Sequence, residues 1–220
     1  LIHKGGLYKT TNFKRHKYIG DPLNAVRIFN EKQVDELMIV DIDASYLGNE
    51  PDYKLIKNLA MECRMPLCYG GGVKSVEQFD HIISLGVEKV AVSSAAIDNP
   101  DIIFKAASRV GSQSVVGVID VKKSFLLGNY QVVTLNGSKN TNLEPAKWAS
   151  KLQSLGAGEI IINCVDQDGE MKGYDFDIID QVHKAISIPL TVLGGAGSIR
   201  DILTLFSKYG IIGAAAGSLF

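Results

Sequence analysis

Residues 66–75 read PLCYGGGVKS, and residues 189–198 read PLTVLGGAGS. Each is a short apolar run headed by proline that passes into paired glycines and then a serine. A shift of 123 superposes them: Pro66 falls on Pro189, Gly71 and Gly72 on Gly194 and Gly195, and Ser75 on Ser198. The same shift brings Glu36 onto Glu159 and Asp43 onto Asp166, and a shift of 124 pairs Gly86 with Gly210 and Ser94 with Ser218. Working outward, further apolar runs stand at 36–43 (ELMIVDID), 66–69, 89–94 (KVAVSS), 114–120 (SVVGVID), 159–165 (EIIINCV), 189–193 and 212–216. They are nearly continuous in apolar residues, as parallel strands covered on both faces must be. The starts at 36, 66 and 89 are 30 and 23 residues apart, and those at 159, 189 and 212 repeat 30 and 23. Equal spacing with shared residues predicts two duplicated half-barrels, about 1–110 and 111–220. Together they make one α/β domain, a (β/α)8 TIM barrel.

Helix starts fall between the strands. Asp21-Pro22 places a capping side chain before proline at the first helical position. Residues 75–78 (SVEQ) read as a capping box. Asn99-Pro100 and Glu144-Pro145 open two more helices. The composition is that of an ordinary soluble domain: 46% hydrophobic, 21% charged, with a formal net charge of −1. There is no basic run to track a nucleic acid, and no apolar run of the roughly 20 residues that span a bilayer. Cys63, Cys68 and Cys164 fit neither a disulfide framework nor a zinc site, so a reducing, cytoplasmic setting without metal is expected. The 220 residues are shorter than the roughly 250 typical of such a barrel. The sequence also opens at Leu1 and reaches Phe220 inside what reads as the eighth strand. Incomplete termini are therefore expected.

Active sites of these barrels lie at the C-terminal ends of the strands. Gly70-Gly71-Gly72 and Ser93-Ser94 end two strands of the first half; Gly194-Gly195-Ala196-Gly197 and Gly217-Ser218 end the corresponding strands of the second. Glycine lets backbone N–H groups approach an anion, and a following helix N-terminus adds a positive dipole end. Each half thus offers a phosphate cradle, suiting a substrate with a phosphate at both ends; tight βα turns would demand the same glycines. Asp41 and Asp43 lie at the end of the second strand, to bind substrate hydroxyls or to cap the loop. At the opposite end, Glu36, Lys89 and Glu159 start strands two, four and six, so they share one layer of the interior as a salt-bridged cluster or as something functional. His3, His16, His81 and His183 have no metal-ligand spacing and read as surface or loop residues. Trp148 reads as core or interface packing.

The segments LYKTTNF, GDP, GGGV, VIDVKK, GSKNT, DQDGEMKGYD, GGAGS and AGSLF, in this order, resemble the cyclase subunit of imidazole glycerol phosphate synthase over essentially the whole chain. Residues 18–22 and 67–70 look closest to a paralogous branch linked to surface-polysaccharide genes and acetamidino-sugar synthesis. The isomerase of histidine biosynthesis shares the half-barrel plan but is a weaker match.

The resemblance implies a lyase that takes ammonia from a glutaminase partner and uses two aspartates, at the ends of strands one and five, as general acid and base. Asp120 matches the second; the first falls on Leu1, an aliphatic residue that can move no proton. Superposing the halves agrees, laying Asp120 over Leu1. The resemblance places one phosphate on Gly72, Ser93 and Ser94, and the other on Asp168, Gly169, Gly195, Gly217 and Ser218. Lys9 matches the lysine of the mobile first loop, and Leu193 replaces a serine. Glu36, Lys89 and Glu159 match an ammonia gate whose fourth residue, an arginine, would precede Leu1. Glu88 and Gln113 match the glutaminase-docking face. No cofactor is implied.

Three functions follow. The chain is an ammonia-channelling subunit of a glutamine amidotransferase complex, serving a sugar-modifying amidotransferase. Alternatively it is a genuine cyclase of histidine biosynthesis, or a non-catalytic subunit that activates the glutaminase.

Overall fold

The computed structural model describes residues 1–124 and 128–219. Its strands are β1 (Ile2–His3), β2 (Gly6–Lys9), β3 (Lys17–Gly20), β4 (Leu37–Val40), β5 (Leu67–Gly70), β6 (Lys89–Val92), β7 (Val115–Lys123), β8 (Tyr130–Thr134), β9 (Lys139–Asn140), β10 (Glu159–Cys164), β11 (Leu190–Leu193) and β12 (Gly213–Ala214). Its α-helices are α1 (Pro22–Lys32), α2 (Ile42–Leu47), α3 (Tyr53–Glu62), α4 (Val76–Ser84), α5 (Ser94–Asp98), α6 (Asp101–Val110), α7 (Pro145–Ser154), α8 (Phe176–Ala185) and α9 (Ile199–Tyr209).

Among the described residues, seven parallel strands pair in the order β4-β5-β6-β7-β10-β11-β12, which is also their order along the chain. A sheet wound in one direction with a helix after nearly every strand curls into the predicted α/β barrel. β1 takes the position beside β4 through a parallel bridge from Ile2 to Asp41.

Two apolar cores follow from strand alternation. Outward side chains such as Ile119, Ile160, Ile162 and Val192 pack under the helices with Phe79, Ile103, Leu152 and Ile179. Inward ones form a separate small cluster of Cys68, Ala91, Val116 and Ile161, flanked by Met38, Val118 and Leu193. That cluster fills the barrel interior. Trp148 lies in the outer core, 7% exposed.

The duplication extends to the caps. Ser75 and Gln78 close a reciprocal capping box on α4, and Ser198, at the equivalent position, caps α9 through Asp201. Asp52 caps α3 and Asp175 caps α8, again 123 residues apart. Asp21-Pro22 and Glu144-Pro145 open α1 and α7 as expected.

Several boundaries differ from expectation. β4 stops at Val40 because the Asp41 carboxylate caps α2, accepting from the amides of Asp43 and Ala44. Asp43 therefore lies in a helix turn rather than on a strand. Ser94 leaves the fourth run to begin α5, whose C-cap is Asn99, so that Pro100 caps α6. The last run shortens to Gly213–Ala214; Phe220 lies outside the described residues. The antiparallel sheet β1-β2-β3 and the β7-β8-β9 excursion were not foreseen.

Candidate functional site at the barrel mouth

Asp120 stands on β7 where the interior opens to the C-terminal face of the barrel. Across the parallel register Asn163 of β10 is its direct neighbour, and the Asn163 Nδ2 donates to Asp120 Oδ1 at 3.0 Å. The Ser93 hydroxyl donates to Oδ2 at 3.3 Å. Burial pushes the Asp120 carboxyl up to about 6; the two donors pull the other way, and the negative charge of Asp168 adds to the rise. A carboxyl poised there exchanges protons near neutral pH, as an acid–base group must.

Asp168 follows β10 and ties the first loop down. Its carboxylate accepts from the Thr10 hydroxyl at 2.6 Å and the Phe13 amide at 3.2 Å. Burial raises its pKa against those donors. Gly169 is required where it stands: its φ is +70°, and a Cβ would come 2.2 Å from the Thr10 carbonyl oxygen. Gly195 likewise has φ +108° and would meet the Gly173 carbonyl at 2.1 Å. Gly217 differs, with nothing within 4 Å of a Cβ. Lys9 reaches across from β2, its Nζ donating to the Ser218 carbonyl at 3.4 Å. Asp168, Gly169 and the first loop are thus joined, and Lys9 touches the Gly217-Ser218 turn.

The first-half cradle is tied in by hydrogen bonds of its own. The Gly72 amide donates to Ser45 Oγ at 3.1 Å, and Ser94 Oγ accepts from the Leu135 amide at 3.5 Å. Ser93 gives its hydroxyl to Asp120 and so leaves α5 without a side-chain cap. Leu193 packs against the interior cluster, next to Asn163 in the register.

At the base, the predicted charged layer is assembled. Lys89 Nζ lies 2.6 Å from Glu36 Oε2 and 2.8 Å from Glu159 Oε2. The Thr191 hydroxyl donates to the other Glu159 oxygen at 2.7 Å. Burial alone would lower the lysine pKa; the two carboxylates outweigh it and raise it, fixing the charge. Just above, burial and the nearby Glu36 and Glu159 raise the Cys68 thiol, keeping it protonated. Glu88 accepts from the Leu67 amide at 2.6 Å, and Gln113 is exposed with its amide on the Val110 carbonyl.

Sequence reasoning missed Asn163, Thr191, Thr10 and Ser45, because each becomes polar neighbour to a site residue only through register or loop closure. It also read His3 as a surface or loop residue; it sits on β1, half-buried, with Nδ1 2.7 Å from Asp43 Oδ1 and its ring stacked on His16. Burial pushes Asp43 up, but the Lys4 amide and His3 outweigh it and hold the carboxyl low. Among the described residues no group of three or more His, Cys, Asp or Glu is placed to hold a metal ion, and no helix is long and apolar enough to cross a membrane.

The family described as "Histidine biosynthesis protein" matches residues 3–220. A Vibrio vulnificus protein, provisionally named imidazole glycerol phosphate synthase subunit hisF3, is 53% identical over 220 residues, covering all of this chain and 85% of that protein. A Pseudomonas aeruginosa protein provisionally named subunit hisF2 is 48% identical, covering all of this chain and 87% of that protein. The imidazole glycerol phosphate synthase subunit HisF of Lactococcus lactis subsp. cremoris (strain SK11) is 39% identical over 219 residues, covering all of this chain and 85% of that protein.

Proposed function

We propose, from the premise that this chain belongs to the histidine biosynthesis protein family and its imidazole glycerol phosphate synthase subunit HisF members, that it is the barrel subunit of a glutamine amidotransferase complex. A glutaminase docks at the base near Glu88 and Gln113 and releases ammonia there. The ammonia passes the Glu36–Lys89–Glu159 layer, crosses the interior and emerges beside Asp120. The observation that carries this reading is the stacking of three unlike layers on one axis: a salt-bridged rim, an apolar interior of Cys68, Ala91, Val116 and Ile161, and a carboxylate at the mouth. Neutral ammonia crosses an apolar layer at far lower cost than an ion does. The charged layer holds the entrance shut until a docked partner parts it.

The acceptor of the nitrogen is a sugar intermediate of acetamidino-sugar synthesis, handed on by a sugar amidotransferase. The observation that supports this branch is Leu1, which stands where the resemblance puts the strand-one acid–base aspartate. A second reading, a genuine cyclase, is favoured by Asp120 itself, which keeps its donors and a proton affinity suited to acid–base work.

The test uses the purified barrel, ammonium salt and the phosphoribulosyl substrate of the cyclase. Negligible imidazole glycerol phosphate formation is expected; turnover at rates typical of that reaction overturns the sugar branch in favour of the cyclase. In the complex with its glutaminase, Lys89→Ala is expected to leave glutamine hydrolysis running while ammonia leaks to solvent. Unchanged coupling overturns the gate.

A further inference from the structure

Asn163 is polar, 7% exposed, and one hydrogen-bonding atom short. Its Nδ2 is spent on Asp120, but its Oδ1 is buried with no donor among the described residues. A buried amide oxygen left unmatched is costly, so such an oxygen in a native site points to a partner.

Its surroundings say what kind. Asn163 lies two residues above Ile161 on β10, and Asp120 two above Val118 on β7. Both Ile161 and Val118 belong to the apolar interior cluster. Alternation therefore makes Asn163 and Asp120 the first polar groups met on leaving that interior. On the other side is Gly194, where a Cβ would stand 3.4 Å from Asn163 Oδ1 and 2.7 Å from the Cys164 carbonyl. The glycine places no side chain against the oxygen. The site offers acceptors, Asn163 Oδ1 and the Asp120 carboxylate. The nearby donors Ser93 Oγ and one N–H of Asn163 Nδ2 are committed to Asp120.

We infer that Asn163 Oδ1 and the Asp120 carboxylate form a binding station for ammonia where the interior opens into the mouth. Ammonia carries three N–H donors and one lone pair. Two acceptors hold two of its hydrogens and leave the lone pair turned away from the wall, toward whatever carbon occupies the mouth. This deepens the conduit reading and rests on it.

The titration of Asp120 reads the station directly. The carboxyl band of the intact barrel is followed by infrared difference spectroscopy across pH, assigned with Asp120→Asn. It is measured in ammonium chloride and in tetramethylammonium chloride at equal ionic strength. At these pH values ammonia is present as ammonium, which offers the same N–H donors; seated on Asn163 Oδ1 against the carboxylate it lowers the Asp120 midpoint, and tetramethylammonium, which has no N–H, does not. Asn163→Thr, which keeps an acceptor oxygen, is expected to retain the shift; its near-isostere Asn163→Val is expected to lose it. In the glutaminase complex driven by ammonium salt, Asn163→Val should raise KM for ammonium by about tenfold, the weight of one net hydrogen bond, with a smaller change in kcat. No ammonium-specific shift in the wild-type barrel, or the same shift in Asn163→Val, overturns the station. Should Asn163→Val fail to fold by circular dichroism, Asn163→Leu replaces it with the same expectation. A failed conduit has a different signature: Lys89 variants leave glutamine-driven coupling intact while the ammonium response of Asp120 persists.

Discussion

The surroundings of Asp120 pull its charge in opposite directions. Two donors favour the anion, while burial and Asp168 oppose it and prevail, holding the carboxyl near 6 rather than 3.8. The folded chain therefore keeps a proton that the unfolded chain gives up between about pH 4 and 6, and stability is lost as pH rises through that window. Asp120→Asn removes the conflict. It is expected to stabilise the fold by roughly 1–3 kcal/mol at pH 7, with the gain vanishing below pH 4, as thermal melts at several pH values would read. Any activity that needs the carboxylate should rise as pH passes upward through about 6. Asp120 was legible in the sequence as the end of an apolar run, and as a site residue only through the family resemblance. Asn163 was not, because within EIIINCV nothing marks one polar residue as special until register sets it beside Asp120. Asp43 misled for a related reason: an alternating acidic pair at a strand end reads as a rim, yet the Asp41 carboxylate turns the chain into a helix first.

Among the elements, the loops after the strands separate two roles of glycine that look alike in sequence. Gly195 is imposed by the backbone, since any side chain meets the Gly173 carbonyl and φ is positive. Gly195→Ala should cost more than about 2 kcal/mol by combined strain and overlap and lower the denaturation midpoint sharply. Gly217 has open space around it. Gly217→Ala should fold with nearly wild-type stability yet bind inorganic phosphate more weakly, measured by calorimetric titration, if close backbone approach is its role. Equal phosphate affinity would return Gly217 to an ordinary turn. The glycine-rich turns and the serine caps could be read in advance because capping and turn chemistry are local. The β7-β8-β9 excursion could not, because Tyr130–Thr134 joins the sheet through a strand that overruns the barrel rim as far as Lys123.

For the whole molecule, the interior is a stack of layers that a single bulky side chain can block. Ala91 is 3% exposed within the inner cluster. Ala91→Leu is expected to cost about 1–3 kcal/mol by overpacking. It should depress glutamine-driven transfer in the complex while sparing transfer driven by added ammonium salt, measured as the ratio of the two rates. The repeat of 30 and 23 residues made the barrel legible because duplication copies strand spacing. It could not show where the copies diverge: the position equivalent to Lys89 under the shift of 124 is Gly213, and a Cβ there would lie 2.0 Å from Thr191 Oγ1. One half therefore supplies the layer's cation and the other has no room for it. Lys89→Met alone leaves Glu36 and Glu159 facing one another uncompensated. Chemical denaturation should show a loss of about 1–3 kcal/mol, tempered by partial solvent access. Replacing Lys89, Glu36 and Glu159 together by Met, Leu and Leu should restore most of that loss. Three positions on three strands thus behave as one unit: a change at one is costly unless the other two change with it.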